Sequence, residues 1–287
     1  MDRAIEFMHS KWSIDCKGTN FDIGTEIFEN IANGIYNNLT KNKKMSKNPF
    51  IFRIAGQSGS GKTTQLLSAI ASIANDNFIH INIRMFSVFH PNYNILLNEF
   101  GEELIREKTN GFSLLMLFRI VEKIIKDRYN ILFEMTLLDN DFERYLFILL
   151  KKQDYTIHFH ILSIPKTISD GWIEKRRNKS KIEQNRVVFK TTSDYFYNVL
   201  PETLNKMKNY KEWNKNDKII IWNCFLFEPV FYGNLEDKEC LSIFDKYRKQ
   251  SACKIRDENK LLEAKIIWLK DNYKFLSSEN IKKPLIN

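Results

Sequence analysis

Nine consecutive residues, Gly56-Gln57-Ser58-Gly59-Ser60-Gly61-Lys62-Thr63-Thr64, carry the most specific chemistry in the chain. They fit the spacing of glycine, four residues, then Gly-Lys-Ser/Thr. The glycines let the backbone curl so that its N–H groups point inward, which suits the oxygens of a phosphate chain. A helix starting at the end of the loop adds the positive end of its dipole. Lys62 then reaches the β- and γ-phosphates, and the Thr63 hydroxyl is a ligand for Mg²⁺. The expected ligand is a nucleoside triphosphate, ATP with Mg²⁺, held by all nine residues. The bland alternative is a glycine-rich turn with no ligand. The flanks decide against it: Phe50-Ile51-Phe52-Arg53-Ile54-Ala55 reads as a buried strand and the residues from Gln65 to Ala71 as a helix.

Other elements have to position further groups around this loop. Ile23, Ile27, Ile31 and Ile35, with Phe28 and Tyr36, recur at helical spacing and predict a helix over 22–40, followed by a basic connector, 41–48. A second strand, Phe78 to Ile83, runs into Arg84 and His90-Pro91. Ligands of open α/β sheets bind at the carboxyl ends of strands, so Asn82, Arg84 and His90, and Thr136 at the end of a later strand, are candidate substrate-binding residues. Helices are expected over 92–107 and 112–128, divided at Asn110 and Gly111. A short apolar strand from Asn130 ends in Glu134 and Thr136, a carboxylate and a hydroxyl. A helix over 140–153 and a strand from Thr156 to Leu162 come next. His158 and His160 alternate with apolar residues on that strand; they are either metal ligands or part of a polar sheet face, and the second reading is favoured.

The segment 172–190 is dense in cations, with Arg176 and Arg186 among them. Such a run is either a solvated helix face or a lid whose arginines close over a transferring phosphoryl group. A helix over 191–209, a strand pair at 218–223 and 229–233, and a helical tail over 236–276 complete the chain. Strands alternating with helices imply an α/β fold of the P-loop NTPase type, a mostly parallel sheet with helices on both faces. The expected organisation is an N-terminal helical arm, 1–48, a P-loop core, 49–235, and a C-terminal helical extension, 236–287, packed on the core.

Composition bounds this reading. The chain has 287 residues, 43% of them hydrophobic, enough for a sizeable core. The net charge of +9 suits nucleic acid, but equally nucleotides, sugar phosphates or an acidic protein partner. No basic stripe interleaved with aromatics favours nucleic acid. Cys16, Cys224, Cys240 and Cys253 have no metal-type spacing and are expected to be reduced thiols. The N-terminus has no apolar signal region and no apolar run is long enough to cross a membrane. A cytoplasmic location is expected.

Taken in order, the landmarks resemble those of the zeta toxins, the kinase half of epsilon/zeta toxin–antitoxin systems. The loop Ala55 to Thr63, with Gln after the first Gly, is similar to the family's phosphate loop. Phe86 and His90-Pro91-Asn92-Tyr93 resemble its Phe…His-Pro-x-aromatic element, and Phe133-Glu134-Met135-Thr136 its Glu-x-Thr. Ile164-Pro165-Lys166 resembles its apolar-Pro-Lys turn, while Arg176 and Arg186 fall where its two lid arginines lie. The resemblance covers about 50–235. It implies catalytic roles for Lys62, Arg176, Arg186 and Glu134, and ATP-dependent phosphorylation of a UDP-activated amino sugar, typically UDP-N-acetylglucosamine. It also implies a small antitoxin protein that blocks the ATP site.

The family's pattern has a catalytic aspartate six residues before the His of His-Pro, and that position here is Arg84. A guanidinium is no base. Either another carboxylate (Glu134, Asp139 or Asp141) takes the proton, with Arg84 binding an acidic substrate group, or the protein binds nucleotide without transfer and acts through a partner. The first reading is favoured, because Lys62, Thr63, Arg176 and Arg186 are all retained.

Overall fold

In a computed structural model, residues 25–74, 76–136, 140–179, 190–250 and 257–274 are described. A helix, Thr25–Thr40 (α1), precedes strand Phe50–Gly56 (β1). The next helix opens with a π-helical turn, Lys62–Leu67, and runs on as an α-helix over Ser68–Ile73 (α2). Strand Phe78–Asn82 (β2), a 3₁₀ segment Ile83–Phe89 and the long helix Tyr93–Lys126 (α3) follow. Then come strand Asn130–Glu134 (β3), helix Asn140–Lys152 (α4), strand Thr156–Leu162 (β4), and helices Lys166–Lys179 (α5) and Lys190–Met207 (α6). Strands Lys218–Trp222 (β5) and Phe231–Gly233 (β6) and helices Glu239–Lys249 (α7) and Glu258–Asn272 (α8) end the described chain.

The strands form one sheet in the order β2-β3-β1-β4-β5-β6. All neighbours are parallel except β6, which runs antiparallel to β5. The expected α/β architecture with a mostly parallel sheet is therefore the one observed. Near-continuous burial along β1, β3 and β4 is what a sheet covered on both faces requires. Alternate side chains divide between two cores. Ile51, Ala55, Ile131, Phe133, Phe159 and Ile221 meet residues of α1, α3, α4, α6 and α7, while Phe50, Phe52, Ile54, Leu132 and Trp222 meet α2 and α8. Among the described residues no helix is long and apolar enough to cross a membrane.

The first and last described helices are tied to opposite faces of the sheet. α1 lies on α3, with Phe28 edge-on to Phe112 at 6.0 Å and Arg119 paired with Glu29 at 2.9 Å. α8 covers the face that also carries α2. It seats the fully buried Lys265, whose ammonium donates to the Leu226 carbonyl at 3.1 Å and is held down to about 8 by burial.

His158 and His160 belong to this second face, and no group of three or more His, Cys, Asp or Glu side chains that could hold a metal ion is found among the described residues. The indole N–H of Trp222 donates to His160 Nδ1 at 3.0 Å, so the proton of His160 sits on Nε2, which meets the Tyr273 hydroxyl at 3.0 Å. That hydroxyl donates onward to His158 Nδ1 at 2.7 Å, and His158 Nε2 donates to the Asn216 carbonyl at 3.3 Å. The chain of bonds works only with both imidazoles neutral. Burial accordingly pushes His158 down to about 4 and His160 well below the usual histidine range. Because the folded value is depressed, the stabilisation from neutral His158 is complete above the unfolded pKa of 6.5. It is lost as pH falls from there towards about 4. The expected loss is on the order of 3 kcal/mol between pH 7 and pH 4. Urea unfolding across that range checks it, and a Tyr273→Phe chain should already be destabilised at pH 7.

One expectation is corrected here. Asn110 and Gly111 do not divide two helices; α3 runs through them, and the departure from helical geometry is at Gly101, with φ 72° and ψ 173°. Ile105, Phe112, Met116 and Ile120 bury one helix face across the expected break. That burial outweighs the roughly 1 kcal/mol that a glycine inside a helix costs. Gly101 takes a conformation that a residue with a Cβ rarely adopts.

Candidate active site

The register of the sheet sets the site. Ile54 pairs with Glu134, and Glu134 with Asn82, so the ends of β1, β3 and β2 stand abreast. The loop from Gly56 to Gly61 rises from the first of these ends. Gly56, Gly59 and Gly61 have φ of 143°, 73° and 88°. Gly59 is also the point of closest approach: an added Cβ would stand 2.3 Å from the Ser169 carbonyl oxygen, so the loop is clamped onto the first turn of α5. Gln57 does the same from its side chain. Its amide donates to the Ile164 carbonyl at 3.2 Å and to Ser169 Oγ at 3.0 Å. This gives a physical reason for glutamine after the first glycine and ties it to the Ile164-Pro165-Lys166 turn. Lys166 in turn bridges Asp170 and Asp194, both at 2.6 Å, linking α5 to α6.

Lys62 donates to the Gly56 and Gln57 carbonyls, both at 2.7 Å. The Thr63 hydroxyl donates to Glu134 Oε1 at 2.5 Å. Two hard oxygen donors side by side, next to a loop built for phosphates, suit Mg²⁺, which typically takes one or two protein oxygens and completes its shell with water and phosphate. The carboxylate is buried and its strand end is held from below. Arg53, itself buried, donates from one guanidinium nitrogen to the Ile54 carbonyl at 2.9 Å and the Met135 carbonyl at 3.0 Å, with its cation over Phe133 at 4.7 Å. No motif marks Arg53; one cation in an otherwise apolar strand is its signal in the sequence.

In front of the loop lies a cavity of about 450 Å³. It is lined by the loop from Ser58 to Thr63, by Glu134 and Thr136, by Asn82 with Arg84 and Ser87 of the 3₁₀ segment, and by Arg106, Thr109, Asn110 and Ser113 of α3. Asn82 also caps the 3₁₀ segment, its side-chain oxygen accepting from the Arg84 N–H at 2.9 Å. The α3 residues were missed from sequence. Spacing of three or four on a long apolar helix is a polar stripe along one face, and the kink at Gly101 precedes it. The hydroxyls of Ser60 and Ser113, one on the loop and one on α3, are buried and lack a hydrogen-bond partner. Buried polar atoms of that kind call for a ligand or water.

Not every expected site residue reaches the cavity. His90 is buried behind it. Its Nδ1 accepts from the Asn92 N–H at 3.1 Å, its ring lies 5.1 Å from Phe112, and burial lowers its pKa. The geometry therefore gives it the start of α3 to hold rather than a substrate. Thr64 is exposed on α2, and Gly56 and Gln57 support the loop from beneath, so these three do not line the cavity. Arg176 lies on α5, with its side chain outside the described residues; Arg186, Asp139 and the side chain of Asp141 are also outside them.

The zeta toxin family model matches residues 36–241. The chain belongs to the zeta toxin family. Among curated relatives it is 33% identical over 131 residues to Toxin PezT of Streptococcus pneumoniae serotype 4, covering 46% of this chain and 51% of that protein. It is 30% identical over 149 residues to Toxin zeta of Streptococcus pyogenes, covering 52% of this chain and 51% of the relative. The chain thus matches about half the length of these relatives. A solved chain from a study of the PezAT chromosomal toxin–antitoxin system of Streptococcus pneumoniae superposes with a TM-score of 0.70 at 22% identity, covering 88% of this chain and 98% of that one. The likeness is one of fold, and it extends the match well beyond the aligned sequence. Family membership agrees with the landmarks of the sequence: the phosphate loop and Glu134 line one cavity, and the Ile164-Pro165-Lys166 turn holds the loop through Gln57.

Proposed function

We propose that the chain is a toxin kinase that transfers the γ-phosphoryl group of ATP to a small molecule held in the cavity. The observation that carries this reading is the contact of the Thr63 hydroxyl with the Glu134 carboxylate, beside Lys62, in a cavity that continues past the phosphate loop. A nucleotide alone would occupy the loop side; the remaining space suits an acceptor. The loop N–H groups and Lys62 bind and orient the triphosphate. Glu134 and Thr63 would hold Mg²⁺, which when bound would supply charge neutralisation for the triphosphate. Arg176 and Arg186 are taken as lid cations that approach the transferring group. Residues 49–235 are read as the kinase unit, with 1–48 as an arm and 236–287 as an extension. The cytoplasm, which supplies ATP, is the proposed compartment, and an antitoxin protein the proposed partner, since a structural neighbour comes from a toxin–antitoxin system.

A second reading, nucleotide binding without transfer, draws on Arg84 standing where the family's pattern has an aspartate. Incubating the protein with ATP, Mg²⁺ and a metabolite extract, followed by mass spectrometry, separates the two. A species gaining one phosphoryl group supports the kinase. ATP binding with no such species across the extract supports the second reading. UDP-N-acetylglucosamine, the acceptor that the family resemblance implies, is the reference compound.

A further inference from the structure

A buried cation stands next to the strand end that carries Glu134. Arg53 lies midway along β1, 2% exposed, with Phe133 of β3 and Phe159 of β4 as its register partners. Its guanidinium is 4.7 Å from the centre of the Phe133 ring and 5.7 Å from that of Phe159. An aliphatic side chain would fill this space without the cost of desolvating a charge. What the arginine adds is a pair of hydrogen bonds from one nitrogen, to the Ile54 carbonyl at 2.9 Å and the Met135 carbonyl at 3.0 Å. Those bonds fall where β1 and β3 part. Their register runs from Ile51 against Ile131 to Ile54 against Glu134. The Met135 N–H then reaches the Ile54 carbonyl at 3.1 Å, and β1 turns into the phosphate loop at Gly56, with φ 143°. The two peptide groups flanking Met135 are thus held separately, the first by its N–H to β1 and the second by its carbonyl to Arg53. Because a peptide group is planar, holding both leaves the backbone little freedom at Met135. The residues on either side of it, Glu134 and Thr136, line the cavity, and Glu134 takes the Thr63 hydroxyl.

We propose that Arg53 is a positioning residue for the Mg²⁺ site: through the Met135 backbone it sets where the Glu134 carboxylate and the Thr136 hydroxyl stand in the cavity. This rests on reading Glu134 and Thr63 as the residues that would hold the ion. The route is through the backbone, since Phe133, under the guanidinium, and Glu134 leave opposite faces of β3. Groups that orient metal ligands in this way typically govern affinity or activity by about 10–100-fold. The bridge also depends on a planar guanidinium lying over the Phe133 ring, which a shorter, compact ammonium does not reproduce.

The test compares the unmodified full chain with Arg53→Met and Arg53→Lys, each well below its melting temperature. Calorimetric titration with ATP over a series of Mg²⁺ concentrations reads the ion's contribution to binding, whether or not transfer occurs. The Mg²⁺ dependence of transfer, with the metabolite extract as acceptor, reads it in the reaction. Arg53→Met should raise the Mg²⁺ concentration for half of the full effect by roughly tenfold in both measurements. ATP affinity in EDTA, which depends on the loop, should stay unchanged, and Arg53→Lys should fall between the other two. A half-effect concentration that does not move in Arg53→Met, whatever its melting temperature, leaves Arg53 a structural role and overturns the proposal. If Arg53→Met does not fold, Arg53→Lys decides: a raised concentration supports the proposal and an unmoved one overturns it. ATP affinity lost equally with and without Mg²⁺ also overturns it, because the loop is then what has been disturbed. An unmodified chain whose ATP binding ignores Mg²⁺ overturns it together with the assignment of the ion's site. Mg²⁺-dependent ATP binding that weakens in Arg53→Met, with no transfer by the unmodified chain, supports the proposal and removes the kinase reading alone.

Discussion

Replacing Lys62 with alanine is expected to lower phosphoryl transfer by about 10²–10³-fold, the range seen when one preorganised donor to a developing charge is removed. Two roles fail together. The ammonium now braces the loop by donating to the Gly56 and Gln57 carbonyls, and in the proposed reaction it is the cation that reaches the phosphates. Lys62→Arg should not restore activity. A planar fork cannot take the seat of a compact ammonium held at 2.7 Å from two carbonyls of the same loop. Single-turnover transfer of labelled phosphate measures the first effect, and the rise in melting temperature on adding ATP measures the loss of binding. A Lys62→Ala chain that transfers at the unmodified rate would remove the loop from the reaction altogether.

The second large effect is expected at Glu134. Changing it to glutamine keeps the shape and leaves an oxygen to accept from Thr63, but removes the charge. Transfer should fall by about 10–100-fold, and the Mg²⁺ concentration needed for half-maximal rate should rise. The fold should not suffer. A carboxylate in this buried position loses hydration, and a neutral amide avoids that cost, so the melting temperature without nucleotide should stay level or rise slightly. A rate that drops together with the melting temperature, and with no change in Mg²⁺ dependence, would reassign Glu134 to a structural role at the end of β3.

The two residues differ in how far the sequence revealed them. Lys62 is legible because the whole device is local: glycine spacing, strand before and helix after lie within about twenty residues, and the physics of a curled backbone needs nothing remote. Glu134 was visible only as a carboxylate closing an apolar strand. Its partnership with Thr63 depends on β3 lying beside β1, a pairing between segments some eighty residues apart. Arg53 was overlooked for the same reason: its guanidinium acts on Met135, across that strand pair. Conversely, His90 was drawn towards the substrate by its place at a strand end, while its actual partners, Asn92 and Phe112, turn it into the core. Gly111 misled in the opposite sense, because local propensity cannot weigh the burial that carries α3 through it.

The amino-acid sequence by itself determined the phosphate-loop motif, the alternation of strands and helices and the sheet-type fold. Each of these rests on short-range spacing or on a periodicity that the backbone imposes directly. The tertiary structure alone decided the strand order, the meeting of Thr63 with Glu134, and the lining of one cavity by residues as far apart in sequence as Arg84, Arg106 and Glu134. These are contacts between distant segments. The parallel register and the kink at Gly101 select them, and neither is written in any single stretch of chain.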